Sequence, residues 1–231
     1  MEVITVPILP MMMLQSHIVR DQKTIIVDTG TPGSAAKILD VMKKHQIDPE
    51  DVSLILITHS HLDHSGGAAE LQKALNVPIA MHHLEQTYVE NGTRLPLTPK
   101  NWFGKLFKKS SLIKQPVEKF KVNIVLDGGE DLKPYGVDAK VIFTPGHTLG
   151  SISVMLGNKE MIAGDVVSGG ILLGGMIFNN VPTWPIFHDD TPTSIDSLNQ
   201  IIELAPTRIH VGHGGPLDIP SIKKFIHSAS V

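Results

Sequence analysis

The sequence predicts an α/β fold in a single domain spanning residues 1–231, a sandwich of sheets and helices. Two observations lead there. Apolar β-branched runs alternate with segments of helical period, the pattern of strands covered by helices. The composition is also globular and loop-rich: 42% hydrophobic and 19% charged, with 20 Gly and 16 Pro among 231 residues. A chain of this length buries roughly 70% of the surface its unfolded form exposes, so it needs no covalent staple.

The elements follow in order. The first ten residues lack a basic n-region, and their apolar stretch is interrupted by Pro7 and Pro10. That pattern fits neither a signal peptide nor a membrane span, and a cytoplasmic protein is the expectation. Thr24–Val27 reads as a buried strand closed by the turn Asp28-Thr29-Gly30-Thr31-Pro32-Gly33. Ala35–Lys44 carries Ile38, Val41 and Met42 on one face, a helix by period. Val52–Ile57 is a second strand, and residues 66–75 place Ala68, Leu71 and Leu75 at helical spacing. Short strands are expected at residues 122–126, 139–143, 152–156, 161–163 and 209–211. Before the last of these, Thr191 reads as an N-cap with Pro192 at the first helical position, and Ile195, Leu198, Ile201 and Ile202 form the buried stripe. Residues 84–120 and 168–190 fit the alternation poorly and read as two elaborated loops.

Charge and cysteine content remove several function classes. A formal charge of −3 argues against a dedicated nucleic-acid binder. The absence of cysteine excludes disulfides, thiolate zinc sites, iron–sulfur clusters and cysteine nucleophiles.

The chemistry concentrates in Thr58-His59-Ser60-His61-Leu62-Asp63-His64. His-x-His-x-Asp-His arises by chance in such a composition at about the two-in-a-thousand level. In an extended segment His59 and His61 project to one side, and Asp63 and His64 follow on a tight turn. Imidazoles and carboxylates without cysteine suit zinc, iron or manganese. Three further strands end alike: residues 141–143 run into Thr144-Pro145-Gly146-His147, residues 161–163 into Gly164-Asp165, and residues 209–211 into Gly212-His213. Sites in open α/β sheets collect beyond the carboxyl ends of strands, so four such ends can converge.

In this order His59, His61, Asp63, His64, His147, Asp165 and His213, with Asp28-Thr29-Gly30 before them, resemble the metallo-β-lactamase superfamily over residues 24–215. The resemblance implies a four-layer αββα sandwich with two divalent metal ions, zinc first and iron or manganese as alternatives, on one edge. It places His59, His61 and His147 on one metal, Asp63, His64 and His213 on the other, and Asp165 between them. The implied activity is hydrolysis of a small carbonyl substrate, an ester, lactone, thioester or amide, by a metal-bridging hydroxide. Asp63 and Asp165 are then the catalytic carboxylates, with Asp63 as proton shuttle. A phosphoester hydrolase and an iron-dependent persulfide dioxygenase are the alternatives within the same superfamily.

The branch is less defined. The segment around His147 resembles hydroxyacylglutathione hydrolase, yet the chain ends 18 residues after His213 and has no Arg between Arg94 and Arg208. His61-Leu62-Asp63-His64-Ser65-Gly66-Gly67 resembles the acyl-homoserine-lactone lactonases, whose tyrosine after the bridging aspartate is replaced here by Val166-Val167-Ser168-Gly169.

His82, His83, His188 and His210 are further candidates for substrate contact, His188 foremost because it ends the apolar loop. Asp28 is expected to support a ligand rather than to bind metal. Residues 101–114 hold Trp102, Phe103, Leu106 and Phe107 at helical spacing beside Lys105, Lys108 and Lys109, an apolar face expected to pack on its own domain as a lid, with a basic membrane-surface helix as the alternative. Ile171, Leu172, Leu173, Met176, Ile177, Phe178 and Trp184 either wall a pocket or join two subunits as a homodimer.

Overall fold

The structure, a computed structural model, describes residues 1–110, 113, 115–171 and 177–229. Three strands open the chain as an antiparallel meander: β1 (Glu2–Leu9), β2 (Leu14–Arg20) and β3 (Thr24–Val27). Next come α1 (Ala35–Lys44), β4 (Val52–Ile57), the single turn α2 (Leu62–Ser65), α3 (Ala68–Leu75), β5 (Ile79–His82), α4 (His83–Asn91), α5 (Trp102–Phe107) and β6 (Ile124–Leu126). The second half holds β7 (Ala139–Phe143), β8 (Ile152–Leu156), β9 (Glu160–Ile162), β10 (Ser168–Ile171), β11 (Ile177–Thr183), α6 (Thr191–Leu204), β12 (Arg208–His210) and α7 (Ile219–Ala229).

Two main sheets result. One runs β1-β2-β3-β4-β5-β6 with β3 to β6 parallel, and the other runs β12-β9-β8-β7. Alternate side chains of each strand serve two different cores. Ile26, Ile55 and Ile57 face Ile38, Met42 and Leu71 of α1 and α3. Their neighbours Ile25, Val27, Leu54 and Leu56 face Val141, Ile152 and Val154 of the second sheet. On that sheet's far side Met161 and Ile209 meet Leu198 and Ile201 of α6 and Ile222 of α7. Three apolar layers separated by two sheets make the expected αββα sandwich. Strands buried on both faces explain why they read as unbroken apolar runs, and each such side chain contributes about 1.5–3 kcal/mol. No helix among the described residues is long and apolar enough to cross a membrane.

Strand direction positions the site. β8 is antiparallel to both β7 and β9, and β9 is parallel to β12, so β7, β9 and β12 end at one edge of their sheet. The chain segments that leave them, and those that leave β3 and β4, carry the predicted residues.

Several expectations are corrected. The first twenty residues, read only as a proline-interrupted apolar stretch, form β1 and β2. Pro7 is tolerated because β1 is an edge strand, where a missing N–H costs no ladder bond. Residues 84–120 are not irregular throughout: all but the first residue of α4 lies there, the helix capped by the His82 side chain, which accepts from Leu84 N. Residues 168–183 pair as the β10–β11 ribbon, while Leu172, Leu173 and Met176 lie outside the described residues. The N-cap of α6 is Asp190 rather than Thr191, with Asp190 extended and its carboxylate accepting from Thr193 Oγ1 at 2.6 Å. α5 packs only part of its apolar face. Gly104 sits so tightly on Ile186 that a Cβ there would lie 2.7 Å from the carbonyl oxygen. Phe103 and Phe107 lie to that side and are half-buried, whereas Trp102 and Leu106, turned about 100° away by the helical period, are 75% and 61% exposed.

His17 of β2 is buried against His210, ring centroids 5.4 Å apart. Burial, then the charges of His210 and His64, pushes its pKa down to about 3. The folded chain therefore refuses a proton that the unfolded chain accepts below pH 6.5. Stability is unaffected above that pH and falls toward pH 3, by about 1.4 kcal/mol per pH unit from this group. Urea titrations between pH 7 and 4 are expected to show a shallower stability decline for His17→Leu than for the parent chain. Equal slopes would remove His17 from that decline.

Candidate metal centre

All seven predicted residues come together. His59, His61 and His147 form one group, and Asp63, His64 and His213 form another; within each, the polar atoms lie within 4.8 Å of one another. Asp165 stands between. Its Oδ2 is 3.9 Å from His147 Nε2, 3.5 Å from His64 Nε2 and 3.2 Å from His213 Nε2. His213 Nε2 is also 3.3 Å from Asp63 Oδ2.

The surrounding chain fixes which ring nitrogen His59, His64 and His213 present. Asp28, held at φ 61, receives Thr58 N at 2.8 Å on Oδ1 and His64 Nδ1 at 2.8 Å on Oδ2. This supporting role is the one expected of Asp28, and it leaves His64 Nε2 for the centre. His59 Nδ1 is 3.0 Å from Thr58 Oγ1, and His213 Nδ1 donates to the Met13 carbonyl. Each of these imidazoles is thus oriented by a bond on its far nitrogen, the arrangement that metal-ligating histidines require.

Two supports left no local mark in the sequence. One is the β1–β2 turn: besides the Met13 contact, Gly214 N donates to Met12 O at 2.8 Å. The other is Glu85 on α4, fully buried, whose carboxylate receives Ser60 N, Thr148 Oγ1 and Gly150 N. It clasps the loop bearing His59 and His61 to the loop bearing His147. The only signal was that β5 ends, like the other site strands, in polar residues.

Charge divides the centre in two. Burial first, then neighbouring imidazoles, holds His59 and His147 well below the usual histidine range. Burial opposes charge at His64 and His213 as well, but Asp165 and then Asp28 carry His64 well above it, and Asp165 with Asp63 carries His213 up to about 10. Asp63 and Asp165 are held low against burial, chiefly by His213 and His64.

The donor set fits metal. His147 Nε2 lies 3.1 Å from His59 Nε2 and 3.0 Å from His61 Nδ1, three weakly basic nitrogens crowded together. Tetrahedral zinc with Zn–N near 2.05 Å sets its ligands about 3.3 Å apart. His64 Nε2 and Asp165 Oδ1 are buried without a hydrogen bond. A Cβ on Gly212 would stand 2.4 Å from His64 Cε1 and 2.5 Å from Asp165 Oδ1, so the backbone is pressed against the cluster.

The other candidate histidines lie apart from it. His82 caps α4 and stacks on Phe143 at 4.6 Å, His83 pairs with Asp127 at 2.7 Å, and His210 pairs with Glu160 at 2.5 Å. His188 is buried 6.1 Å from the His147 ring, with no partner on either nitrogen among the described residues. Burial and the charge of Lys100 push its pKa down to about 4.

The cluster forms the floor of a cavity of about 910 Å³. His61, Asp63, His147, Asp165 and His213 open onto it, and Trp102, Phe107, Trp184 and Phe187 are among its apolar walls. Both elaborated loops therefore line the cavity.

Comparison with known proteins agrees with the geometry. The family profile described as the metallo-β-lactamase superfamily matches residues 15–213. A probable metallo-hydrolase of Methanocaldococcus jannaschii is 28% identical over 204 residues, 86% of each chain. A hydroxyacylglutathione hydrolase of Vibrio cholerae is 28% identical over 148 residues, 64% of this chain and 44% of that enzyme. Among solved structures, an archaeal metallo-β-lactamase superfamily protein from Sulfolobus tokodaii superposes with a TM-score of 0.72 at 20% identity, covering 99% of this chain and 86% of that one. The chain belongs to the metallo-β-lactamase superfamily and is a metal-dependent hydrolase of it.

Proposed function

We propose that this chain is a binuclear hydrolase of a small carbonyl substrate: an ester, lactone, thioester or amide. The observation that carries the reading is the convergence of seven ligand-type side chains on the floor of a largely apolar cavity. In this reading His59, His61 and His147 would hold one divalent ion, Asp63, His64 and His213 would hold the second, and Asp165 would serve both. Two such ions, zinc first, supply Lewis acidity toward a carbonyl oxygen and hydroxide at neutral pH.

The chain's own groups do the rest. Asp28, Thr58 and the Met13 carbonyl hold the imidazoles in place, so little reorganisation accompanies the reaction. Asp63 is the carboxylate of the cluster most open to the cavity, its side chain 42% exposed against 5% for Asp165. Open to the cavity beside the metal ligands, it is placed to take a proton and pass it to the departing group. Trp184, Phe107 and Phe187 shield the floor from water and receive the apolar part of the substrate. Thioesters come first among the carbonyl classes, supported by the hydroxyacylglutathione hydrolase relative.

A panel of thioester, ester, lactone, β-lactam and phosphoester substrates tests the reading on metal-loaded protein. Turnover of one carbonyl class at kcat/KM of about 10⁴ M⁻¹s⁻¹ or more is expected. Phosphoester turnover alone, or oxygen uptake with a persulfide, would overturn it. Within the active class, each added methylene is worth about 0.8 kcal/mol if it enters the cavity, so a few carbons raise kcat/KM by one to two orders of magnitude. Trp184→Ala and Phe107→Ala are expected to flatten that chain-length series while sparing the shortest substrate. An unchanged series, with altered sedimentation, would assign these side chains to a subunit contact instead.

A further inference from the structure

Charge is distributed unevenly around the cavity. Residues 91–117, between Glu90 and Glu118, contain six of the chain's 20 cations and none of its 23 acids. Residues 166–188, between Asp165 and Asp189, contain no Asp, Glu, Lys or Arg at all. Both segments line the cavity, one contributing cations and the other apolar surface. In a chain of net charge −3, the cavity lining holds Arg94, Lys100 and Lys108, and its only carboxylates among the described residues are Asp63 and Asp165 of the metal centre.

The three cations are not neutralised. Arg94 donates to the Gln115 carbonyl and Lys108 to the Leu97 carbonyl at 2.7 Å, contacts that tie the segment to itself and leave both charges uncompensated. The Lys100 ammonium meets no acceptor among the described residues, and none of the three forms an ion pair there. The Lys100 backbone is anchored beside the apolar wall, its N–H donating to Ile186 O at 2.9 Å, while its side chain is exposed. It stands close enough to His188, whose ring lies 6.1 Å from that of His147, for its charge to act on that imidazole. A cation here is therefore within a small molecule's length of the metal floor.

We propose that Lys100, with Arg94 and Lys108, forms an anion subsite in the cavity wall, and that the substrate is an anionic amphiphile. Such a molecule carries an apolar body for Trp184 and Phe187, a scissile carbonyl for the metal floor, and a separate sulfate, phosphate or carboxylate for the cations. Arg94, Lys100 and Lys108 are exposed at the cavity lining, and cations lining a cleft with apolar walls focus their field on an incoming anion. A neutral amphiphile of the same length gains only the apolar contact. This assignment deepens the carbonyl-hydrolase reading and rests on it for the position of the scissile group, but the anion preference can be measured without turnover.

The chain has two tryptophans, Trp102 and Trp184, and both line the cavity, so their fluorescence reports its occupancy. Metal-loaded protein is titrated with octyl sulfate and with 1-octanol, and then with each in an Arg94→Ala/Lys100→Ala/Lys108→Ala variant whose fold is checked by circular dichroism. Octyl sulfate is expected to bind at least tenfold more tightly than octanol to the parent chain. In the variant that advantage should fall below threefold, with octanol binding changed by less than threefold. If the triple variant is misfolded, Lys100→Gln decides alone, because the Lys100 ammonium makes no contact that folding would miss; it should remove at least threefold of the advantage. Equal binding of the two amphiphiles by the parent chain, or a full advantage retained in the variants, overturns the subsite. A parallel kcat/KM comparison of thioesters with and without an ω-carboxylate separates the two readings. Absence of turnover on both counts against the hydrolase, while the fluorescence titrations still decide the subsite.

Discussion

Asp165→Ala is expected to lower kcat by at least about a hundredfold while the fold survives. Asp165 leaves β9 just after Gly164, and its Oδ2 is the atom that faces His64, His147 and His213 together. In the proposed binuclear reading the two ligand groups would lose their shared carboxylate, and the spacing between them would no longer be set. The fold does not depend on it in the same way: His64 keeps Asp28 at 2.8 Å and His213 keeps Asp63 at 3.3 Å. The apolar layers on both faces of β9, including Met161 and Ile162, are untouched. Steady-state kinetics with a thermal melt checks both halves. Parent-like turnover in a folded Asp165→Ala protein would remove Asp165 from the reaction.

Gly212→Ala is expected to do comparable damage through a single methyl group. Gly212 N donates to Gly164 O at 3.0 Å and Gly212 O receives Gln15 N at 2.8 Å, so the backbone cannot withdraw cheaply. A Cβ would stand 2.4 Å from His64 Cε1 and 2.5 Å from Asp165 Oδ1, well inside contact distance. Its backbone has no left-handed φ, so alanine fits the chain conformation and the clash falls on the cluster itself. Displacing a reacting or ligating atom by about 1 Å costs roughly a hundredfold. Bound metal and kcat should therefore fall together, whereas the melting temperature should move by only a few degrees. Normal metal content in this variant would show that the cluster yields to the methyl group.

The sandwich was legible because its strands are buried on both faces and leave long β-branched runs such as Leu54-Ile55-Leu56-Ile57. β1 was obscured by Pro7, whose effect depends on an edge position that only the sheet order reveals. β10 carries Gly169 and Gly170, and among the described residues it forms a two-stranded sheet with β11, so neither shows the pattern of a core strand. The predicted site residues stood out for a similar reason: each lies just past the end of an apolar strand, where the sequence switches abruptly to Gly, His and Asp. What holds them did not. Met13 meets His213 across 200 residues and Glu85 meets Thr148 across 63, and a local pattern carries no trace of such pairings. The charge asymmetry of residues 91–117 was present in the sequence as a bare basic run, and it acquired meaning only when that segment became a cavity wall.

Counting the metal ions bound per chain tests the binuclear centre itself. Protein stripped with a chelator, reloaded with zinc and freed of excess by gel filtration is analysed for metal and assayed for activity in the same sample. Seven ligand-type side chains are more than one tetrahedral zinc can use, and they fall here into three overlapping groups, one of them His59, His64 and Asp165. The expected result is close to two ions per chain, with activity that tracks occupancy and disappears on stripping. One ion per chain with full activity, or activity that survives complete removal of metal, would contradict it.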